Sequence, residues 1–222
     1  MIKLAISGYQ GKIGKRMIAL AEADKSFSIT AKIEMNDSVE AIKSADVLIE
    51  FTTPTATIEH LKACVKFSRP IVIGTTGLSE SQLSELKTAS KKIPIVFSPN
   101  MSVGVNCLFE LVKSTVKKLG LDYEVNIEET HHIYKKDSPS GTAKKLAQIV
   151  KDASGKEVKD IKAMREGEVV GDHKIIFESA VDRIELFHSA KTRDIFVIGA
   201  LRAAKFIVGK NPGLYSMEDV LA

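Results

Sequence analysis

Apolar residues in the first hundred positions alternate between two spacings. Short continuous apolar runs, typical of buried strands, lie at residues 2–7, 27–33, 46–51, 70–74 and 93–97. Between these runs the apolar residues recur three or four apart, which predicts amphipathic helices, for example over 15–23 and 58–67. Strands that alternate with helices through short connections predict a doubly wound, parallel α/β sheet with helices on both faces.

The pattern changes after Pro99. Residues 105–119 predict one long helix that ends at Gly120, where a left-handed cap needs no side chain. Period-two alternation, which predicts a mixed or antiparallel sheet open on one face, follows at residues 123–130, 175–180 and 183–189. A last helical pattern spans 198–208. We therefore expect two domains, with the last segment folding back on the first.

Composition narrows the classes of protein. The 222 residues are 44% hydrophobic and 27% charged, which is typical of a globular chain. The net charge of +4 comes from scattered Lys and Arg, so we expect no nucleic-acid surface but good steering of a small anion. Cys64 and Cys107 form no disulfide framework. With neither a leader pattern nor a membrane-length apolar run, we expect a cytoplasmic protein.

The first strand runs directly into the glycine-rich segment GYQGKIG at residues 8–14, and a helix follows. Gly8, Gly11 and Gly14 are placed to turn the backbone tightly, to let it approach a pyrophosphate, and to pack helix against strand. The phosphates would then bind amides at the positive end of the helix. Glycine turns also join many strands to helices without binding anything, so the motif gains weight from its place in an alternating chain.

Two other features of the first half agree with a dinucleotide site. Glu34 ends the second strand, where a carboxylate can bind ribose hydroxyls; the alternative is a solvated acid. The segments FTTP at 51–54 and GTTG at 74–77 follow strand ends, which border the ligand crevice of a parallel sheet. Plain turn chemistry is the alternative for both loops.

A dense set of polar groups lies at the start of the second half. His131 and His132 end a strand, Lys135 follows, and the residues Ser140, Gly141 and Thr142 open a helix. The amides and hydroxyls of that helix start can bind a carboxylate. The alternatives are an ordinary helix cap and a metal site. The histidine pair has no carboxylate or cysteine at a recognisable ligand spacing, so we predict no metal.

These segments together resemble the dihydrodipicolinate reductase family over nearly the whole chain. The most specific are SPNMSVGVN at 98–106 and ETHHIYKKDSPSGTA at 129–143. The pattern RxGxxVGxH at 165–173 and the closing GLYSMEDVL also match, whereas the glycine turn alone is not specific.

The resemblance implies NAD(P)H-dependent reduction of hydroxy-tetrahydrodipicolinate or dihydrodipicolinate to tetrahydrodipicolinate, in the diaminopimelate route to lysine. It implies a Rossmann-like dinucleotide domain from residues 1–102 and 193–222, and a mixed α/β domain from 103–192 that binds the cyclic dicarboxylate and forms a homotetramer. His131 and Lys135 correspond to the catalytic pair, and His132, Lys135, Gly141 and Thr142 to substrate contacts. The implied nucleotide contacts are Gly8, Tyr9, Gln10, Gly11, Lys12, Ile13, Glu34, Gly74, Thr75, Thr76, Ser98, Pro99, Asn100 and Met101.

Two departures from the family pattern matter. The segment between Ala153 and Arg165 is short, which affects the expected tetramer surface. Met35 follows Glu34, where many members have an arginine that meets the 2′-phosphate of NADPH, so we expect NADH to be slightly favoured. The rival interpretations are another two-domain enzyme, such as an amino-acid dehydrogenase, and a non-catalytic NAD sensor. Lys135 and the SGT turn argue against the sensor, because cofactor binding needs neither.

Overall fold

The computed structural model describes all residues from Met1 to Ala222. The strands are β1 (Ile2–Ser7), β2 (Phe27–Ile33), β3 (Val47–Glu50), β4 (Ile71–Ile73), β5 (Pro94–Phe97), β6 (Glu124–His131), β7 (Asp160–Arg165), β8 (Asp172–Glu178), β9 (Arg183–Ser189) and β10 (Gly213–Tyr215). The helices are α1 (Lys12–Ala23), α2 (Pro54–Phe67), α3 (Glu80–Ala89), α4 (Val103–Leu119), α5 (Gly141–Ser154), α6 (Asp194–Ile207) and α7 (Met217–Leu221), with a 3-10 helix at Val39–Ser44. None of the helices is both long and apolar enough to cross a membrane.

The chain forms two compact units. Unit 1 contains Met1–Val103 and Asp194–Ala222, and unit 2 contains Gly104–Arg193. The C-terminal segment therefore belongs to the same unit as the N-terminal segment.

Unit 1 is built on a six-stranded sheet with the order β10-β5-β4-β3-β1-β2, in which every pair is parallel. Neighbouring residues of β1 pack on opposite faces, because side chains alternate along a strand. Leu4 packs with Met17 of α1 and Val197 of α6, whereas Ala5 packs in a second cluster with Leu61 of α2. The sheet is thus buried on both faces, and the predicted doubly wound α/β fold is confirmed.

Unit 2 is built on a four-stranded mixed sheet with the order β7-β6-β8-β9. β7 runs parallel to β6, while the other two pairs are antiparallel. Ile127 and Phe177 pack against Val112 of α4 and Leu146 of α5, so helices cover one face. Phe187 of β9 is 60% exposed. The prediction of a mixed sheet beside helices is confirmed.

Three predicted helix starts were too late by three or four residues, those of α1, α2 and α6. The last of these was expected from Ile198 but begins at Asp194. We expected α1 from Lys15, where the apolar spacing begins. The helix begins at Lys12, directly after its N-cap residue Gly11. We expected α2 from Ile58, but it begins at Pro54. Proline fits the first helical position because its missing N–H has no partner there, and the Thr53 side chain caps the helix.

Four short elements were not predicted at all: β7, β10, α7 and the 3-10 helix at Val39–Ser44. The alternation in β7 is weak, since most of its residues are only half-buried. β10 is three residues long and lies at the edge of the sheet, and α7 is five residues long. Elements this short carry little periodic signal, so tertiary pairing decides whether they form.

Candidate active site

The glycine turn connects β1 to α1 through a tight and closely packed backbone. Gly8 has φ +68°, which a side chain disfavours. A Cβ on Gly14 would lie 2.0 Å from the carbonyl oxygen of Gly8, so only glycine allows this packing. Gly11 caps α1 without any side-chain hydrogen bond, so the first-turn amides remain available to a ligand.

Glu34 follows the glycine turn by twenty residues in the sequence and is in direct contact with it in the structure. The backbone N–H of Gln10 donates to Glu34 Oε1 at 2.6 Å, which places the carboxylate against the glycine segment. Met35 is 86% exposed and supplies no charge. Asp37 accepts a hydrogen bond from the N–H of Glu34, so the turn after β2 carries two acids. Lys12, at the start of α1, is exposed.

The loops after β4 and β5 offer mainly backbone to a ligand. Thr75 is 4% exposed, and its hydroxyl bonds to Thr57 and accepts from the N–H of Thr52. Ser98 donates its hydroxyl to the carbonyl of Asn100. The side chain of Met101 is 1% exposed and belongs to the core of unit 1. The other residues of these loops are more accessible to solvent: Gly74 and Asn100 are half-buried, and Thr76 and Pro99 are exposed.

A buried acid that the sequence analysis missed ends β3. Glu50 is 0% exposed. It accepts hydrogen bonds from the hydroxyls of Ser7, Thr52 and Thr57, and His60 Nδ1 lies 2.6 Å from its Oε2. An acid inside the apolar run DVLIEF was the available signal. This network ties β1, β3 and α2 together at the carboxyl edge of the sheet.

The polar centre of unit 2 begins at the end of β6. Glu129 and His131 lie two residues apart on β6 and share a face, and His173 of β8 is the direct cross-strand partner of Glu129. His131 Nδ1 lies 2.7 Å from Glu129 Oε2, and His173 Nε2 lies 4.0 Å from the same oxygen. All three side chains are at least 90% buried.

The other oxygen of Glu129 binds two donors. The backbone N–H of Ser140 donates to Oε1 at 3.0 Å, and Arg165 Nη2 donates at 3.2 Å. The same guanidinium nitrogen donates to the carbonyl of Asp137 at 2.6 Å. One carboxylate therefore joins β6, the end of β7 and the residue that caps α5.

Burial and charge set the protonation of this centre. Burial alone would raise the pKa of Glu129, but hydrogen bonds from Ser140, the charge of His131 and the hydrogen bond from Arg165 lower it below its usual value. Burial lowers the pKa of His131, and the carboxylate of Glu129 opposes that shift. Burial, with the nearby charge of His131, lowers the pKa of His173 from 6.5 to about 4. At neutral pH the centre thus holds an ionised Glu129 beside a neutral His173.

Lys135 and the start of α5 flank this centre. Lys135 Nζ lies 2.8 Å from Asp137 Oδ1, and this hydrogen bond holds the pKa of Asp137 below its usual range. The Ser140 hydroxyl accepts from the N–H of Ala143, so it caps α5 as predicted. Gly141, the first helical residue, is exposed. His132 is the first residue beyond β6 and is half-buried.

The sequence spacing predicts no ligand set for a metal, whereas the structure brings three possible ligands together. One atom each from Glu129, His131 and His173 lies within 4.8 Å of the others. Sequence spacing could not show this, because His173 arrives from another strand. Arg165 already donates to the same carboxylate, and its positive charge opposes a second cation there. We interpret the cluster as a hydrogen-bonding network.

The motif RxGxxVGxH contributes to this same centre, although its pattern alone assigned it no role. Arg165 binds Glu129, and His173 lies opposite Glu129. A Cβ on Gly171 would lie 2.9 Å from His131 Nε2, so a side chain there would push the imidazole away. The motif therefore surrounds His131 with groups that fix its position.

Unit 1 is a parallel Rossmann-like sheet with a glycine turn, and unit 2 is a mixed sheet that carries a histidine, a lysine and a helix start. Together these features are typical of a two-domain, nucleotide-dependent oxidoreductase. The family model described as dihydrodipicolinate reductase, N-terminus, matches residues 2–101. The model described as dihydrodipicolinate reductase, C-terminus, matches residues 104–221. The chain belongs to this family. It catalyses the reductive step of the diaminopimelate route to lysine that yields tetrahydrodipicolinate.

Curated relatives agree over the full length. The 4-hydroxy-tetrahydrodipicolinate reductase of Syntrophus aciditrophicus is 38% identical over 264 aligned positions, covering 100% of this chain and 98% of the relative. That of Syntrophotalea carbinolica is 36% identical, covering 100% and 99%. An alignment of 264 positions for a chain of 222 residues means that the relative carries segments this chain lacks.

Solved structures show the same fold. The dipicolinate-bound dihydrodipicolinate reductase from Paenisporosarcina sp. TG-14 superposes with a TM-score of 0.85 at 21% identity, covering 97% of each chain. The amine dehydrogenase of Mycobacterium smegmatis reaches a TM-score of 0.66 at 8% identity, covering 98% of this chain and 95% of its own. The likeness to other dehydrogenases is therefore one of fold, and the two rival interpretations of the sequence give way to the reductase family.

Proposed function

We propose that unit 2 binds the cyclic dicarboxylate and protonates it through His131 and Lys135 while hydride arrives from a reduced nicotinamide. The observation that carries this proposal is the convergence of His131 and the start of α5 on the buried carboxylate of Glu129, with the positive charge of Lys135 close enough to lower the pKa of His131. The Paenisporosarcina relative, named with dipicolinate bound, supports a planar ring with two carboxylates as ligand.

The helix start supplies the anion site. In this proposal one substrate carboxylate binds the amides of Gly141 and Thr142, at the positive end of α5. Ser140 contributes by holding that turn, because its hydroxyl caps α5 and its N–H is bound to Glu129. His132 and Lys135 complete the contacts, with Lys135 acting as a point charge.

Proton transfer completes the reaction. Hydride adds to a carbon of the conjugated ring, and the displaced electron pair must then be taken up by a ring atom that gains a proton. Lys135 carries three N–H donors, so it can donate a proton or stabilise that charge. His131 Nε2 faces away from Glu129 and can donate when the ring is protonated, because both ring nitrogens then carry hydrogen. One hydride and one proton are consumed for each ring reduced.

The residues of unit 1 fit a dinucleotide. The close approach of Gly14 to Gly8 leaves a backbone cradle that a side chain would fill, and Glu34 lies beside it. When bound there, the nicotinamide supplies the hydride. We assign the pyrophosphate to the segment from Gly8 to Ile13 and the adenine ribose to Glu34. The nicotinamide end is assigned to the backbone of Gly74, Thr75, Thr76 and residues 98–101.

Three further properties belong to the proposal. Two acids and no arginine follow β2, which supports a slight preference for NADH. The exposed side of the mixed sheet, which includes Phe187, supports assembly into a homotetramer through unit 2. Both cysteines are free, as is usual in a reducing compartment, which supports the cytoplasm.

The test is the loss of nicotinamide absorbance when the freshly generated dicarboxylate is added to enzyme and NADH. We expect turnover with this substrate and none with 2-oxo acids plus ammonia, the substrates of an amino-acid dehydrogenase. Dipicolinate should inhibit in competition with the substrate. Turnover of the 2-oxo acids, or cofactor binding without any turnover, would contradict the proposal.

A further inference from the structure

We infer that Glu129 is the positioning residue of this site: it keeps the imidazole proton of His131 on Nδ1 and ties His131 to the substrate-binding turn at Ser140. The inference deepens the proposed function and rests on it. It comes from three contacts of one carboxylate, none of which the sequence spacing indicates.

The first step concerns the contact between Glu129 and His131. Their atoms Oε2 and Nδ1 lie 2.7 Å apart, although the contact is not a well-directed hydrogen bond, and neither atom has another hydrogen-bond partner. Two lone pairs at that distance would repel, so Nδ1 must carry the proton. In the neutral ring, Nε2 then holds the lone pair and faces away from Glu129.

The second step concerns the other oxygen. Oε1 accepts from the N–H of Ser140 and from Arg165, and these two donors require an oxygen at that position. A glutamine at 129 would therefore keep its oxygen on Oε1 and turn its NH₂ group toward His131 Nδ1. That nitrogen would have to accept, so the proton of the imidazole would move to Nε2.

The third step separates orientation from substrate binding. In Glu129→Gln the hydrogen bond to Ser140 persists, so the turn that starts α5 keeps its place. The substitution instead changes the tautomer of His131 and removes the negative charge that stabilises the protonated imidazole. We therefore expect kcat to fall about 100-fold while KM for the dicarboxylate changes less than about threefold.

The groups that face His131 come from several elements, so a pH profile must consider each. They are Glu129 on the same strand, Arg165 from β7, His173 from β8, and Lys135 and Asp137 from the loop. Removing the negative charge of Glu129 leaves the cations unopposed. The limb of the kcat profile that belongs to His131 should then move to lower pH in Glu129→Gln.

The decisive readout does not depend on activity. Long-range ¹H–¹⁵N spectra of protein labelled at its five histidines distinguish Nδ1–H from Nε2–H, and a His131→Gln variant assigns the signal. We expect Nδ1–H in the wild type and Nε2–H in Glu129→Gln. The matched control is Glu128→Gln, which removes one negative charge from the preceding residue of β6. The side chain of Glu128 pairs with Lys174 and not with His131. This control variant should leave the tautomer and kcat unchanged.

The outcomes separate this inference from the proposed function. An unchanged tautomer in Glu129→Gln overturns the inference, as does a stoichiometric zinc ion in the purified protein, since Glu129 would then be a metal ligand. A changed tautomer with unchanged kcat supports the link between Glu129 and His131 but removes His131 from the chemistry. If Glu129→Gln does not fold, Glu129→Asp replaces it. Its shorter carboxylate should let an Nε2–H population appear, and the absence of one would overturn the inference.

Discussion

Each unit contains one buried glutamate that lies against a histidine, and the two pairs differ in what surrounds them. In unit 1, Glu50 lies 2.6 Å from His60; in unit 2, Glu129 lies 2.7 Å from His131. Glu50 is 0% exposed and ends β3, while Glu129 is 1% exposed and lies two residues before the end of β6. Glu50 is enclosed by hydroxyl groups, and no buried side-chain atom of its pair lacks a hydrogen bond.

The pair in unit 2 has fewer of its hydrogen bonds formed and has more charged neighbours. Arg165 binds Glu129, whereas Oε2 of Glu129 and Nδ1 of His131 lack a well-directed hydrogen bond. Hydrogen bonds of catalytic groups are often poorly aligned without substrate and tighten in the complex. Burial and pairing with a histidine are common to both acids, so these two properties alone do not mark an active site. The satisfied pair stabilises the fold, whereas the incompletely satisfied pair among charges is the one to which the proposed function assigns the chemistry.

The largest effect that would sharpen this comparison is expected at Lys135. Lys135→Met removes the ammonium to which the proposed function assigns the neutralisation of developing charge, so we expect kcat to fall about 1000-fold. NADH affinity should stay within about twofold, because the glycine turn and Glu34 belong to unit 1. Stopped-flow turnover and NADH titration measure the two quantities. Lys136→Met, at an exposed neighbour, is the control. Unchanged turnover in Lys135→Met would remove this residue from the mechanism.

The second effect concerns stability in acid. The pKa of His173 is lowered from 6.5 to about 4 in the folded protein by burial, so the unfolded chain binds its proton first as the pH falls. The stability contributed by neutral His173 is complete above pH 6.5 and is lost between 6.5 and 4. The loss is on the order of 3 kcal/mol. Urea unfolding across this range measures it, and His173→Gln should flatten the slope. An equally steep slope in that variant would assign the acid sensitivity elsewhere.

The third effect tests the satisfied pair. Glu50→Gln leaves hydroxyl donors facing an amide NH₂ in a buried site, so we expect a loss of about 2 kcal/mol in the free energy of unfolding. With saturating cofactor and substrate, kcat should change less than about threefold, in contrast to Glu129→Gln. Thermal unfolding and turnover of one preparation give both numbers. Glu59→Gln, at an exposed position of α2, serves as control. A large fall in kcat without loss of stability would make the two pairs alike.

The smallest effect concerns the cofactor. A 2′-phosphate near Glu34 meets a repulsion on the order of 1 kcal/mol, partly offset by Lys12, so we expect kcat/KM for NADH to exceed that for NADPH by about tenfold or less. Lys12→Ala should widen the ratio, and Lys15→Ala, on the exposed side of α1, should not. Both cofactors are compared at one ionic strength. A clear preference for NADPH would show that Lys12 outweighs the acids.

The parts of this protein that sequence alone predicted are those that depend on neighbours along the chain. The turn at Gly8 needs a left-handed backbone, the strand β1 is a continuous apolar run, and the Ser140 cap and the long helix ending at Gly120 follow from local preferences. Each is set within a few residues by sterics and hydrogen bonding, so the pattern of residue types was enough.

Tertiary structure decided what depends on strand register. Nothing in the spacing of Glu129, Arg165 and His173 shows that they meet; the pairing of β6 with β7 and β8 places them together. The same applies to Glu50 and His60, and to Thr75 and Met101, whose side chains turn inward. A shift of one residue in register would send every side chain of β6 to the other face, so the residues that orient His131 exist as a site only in the folded sheet.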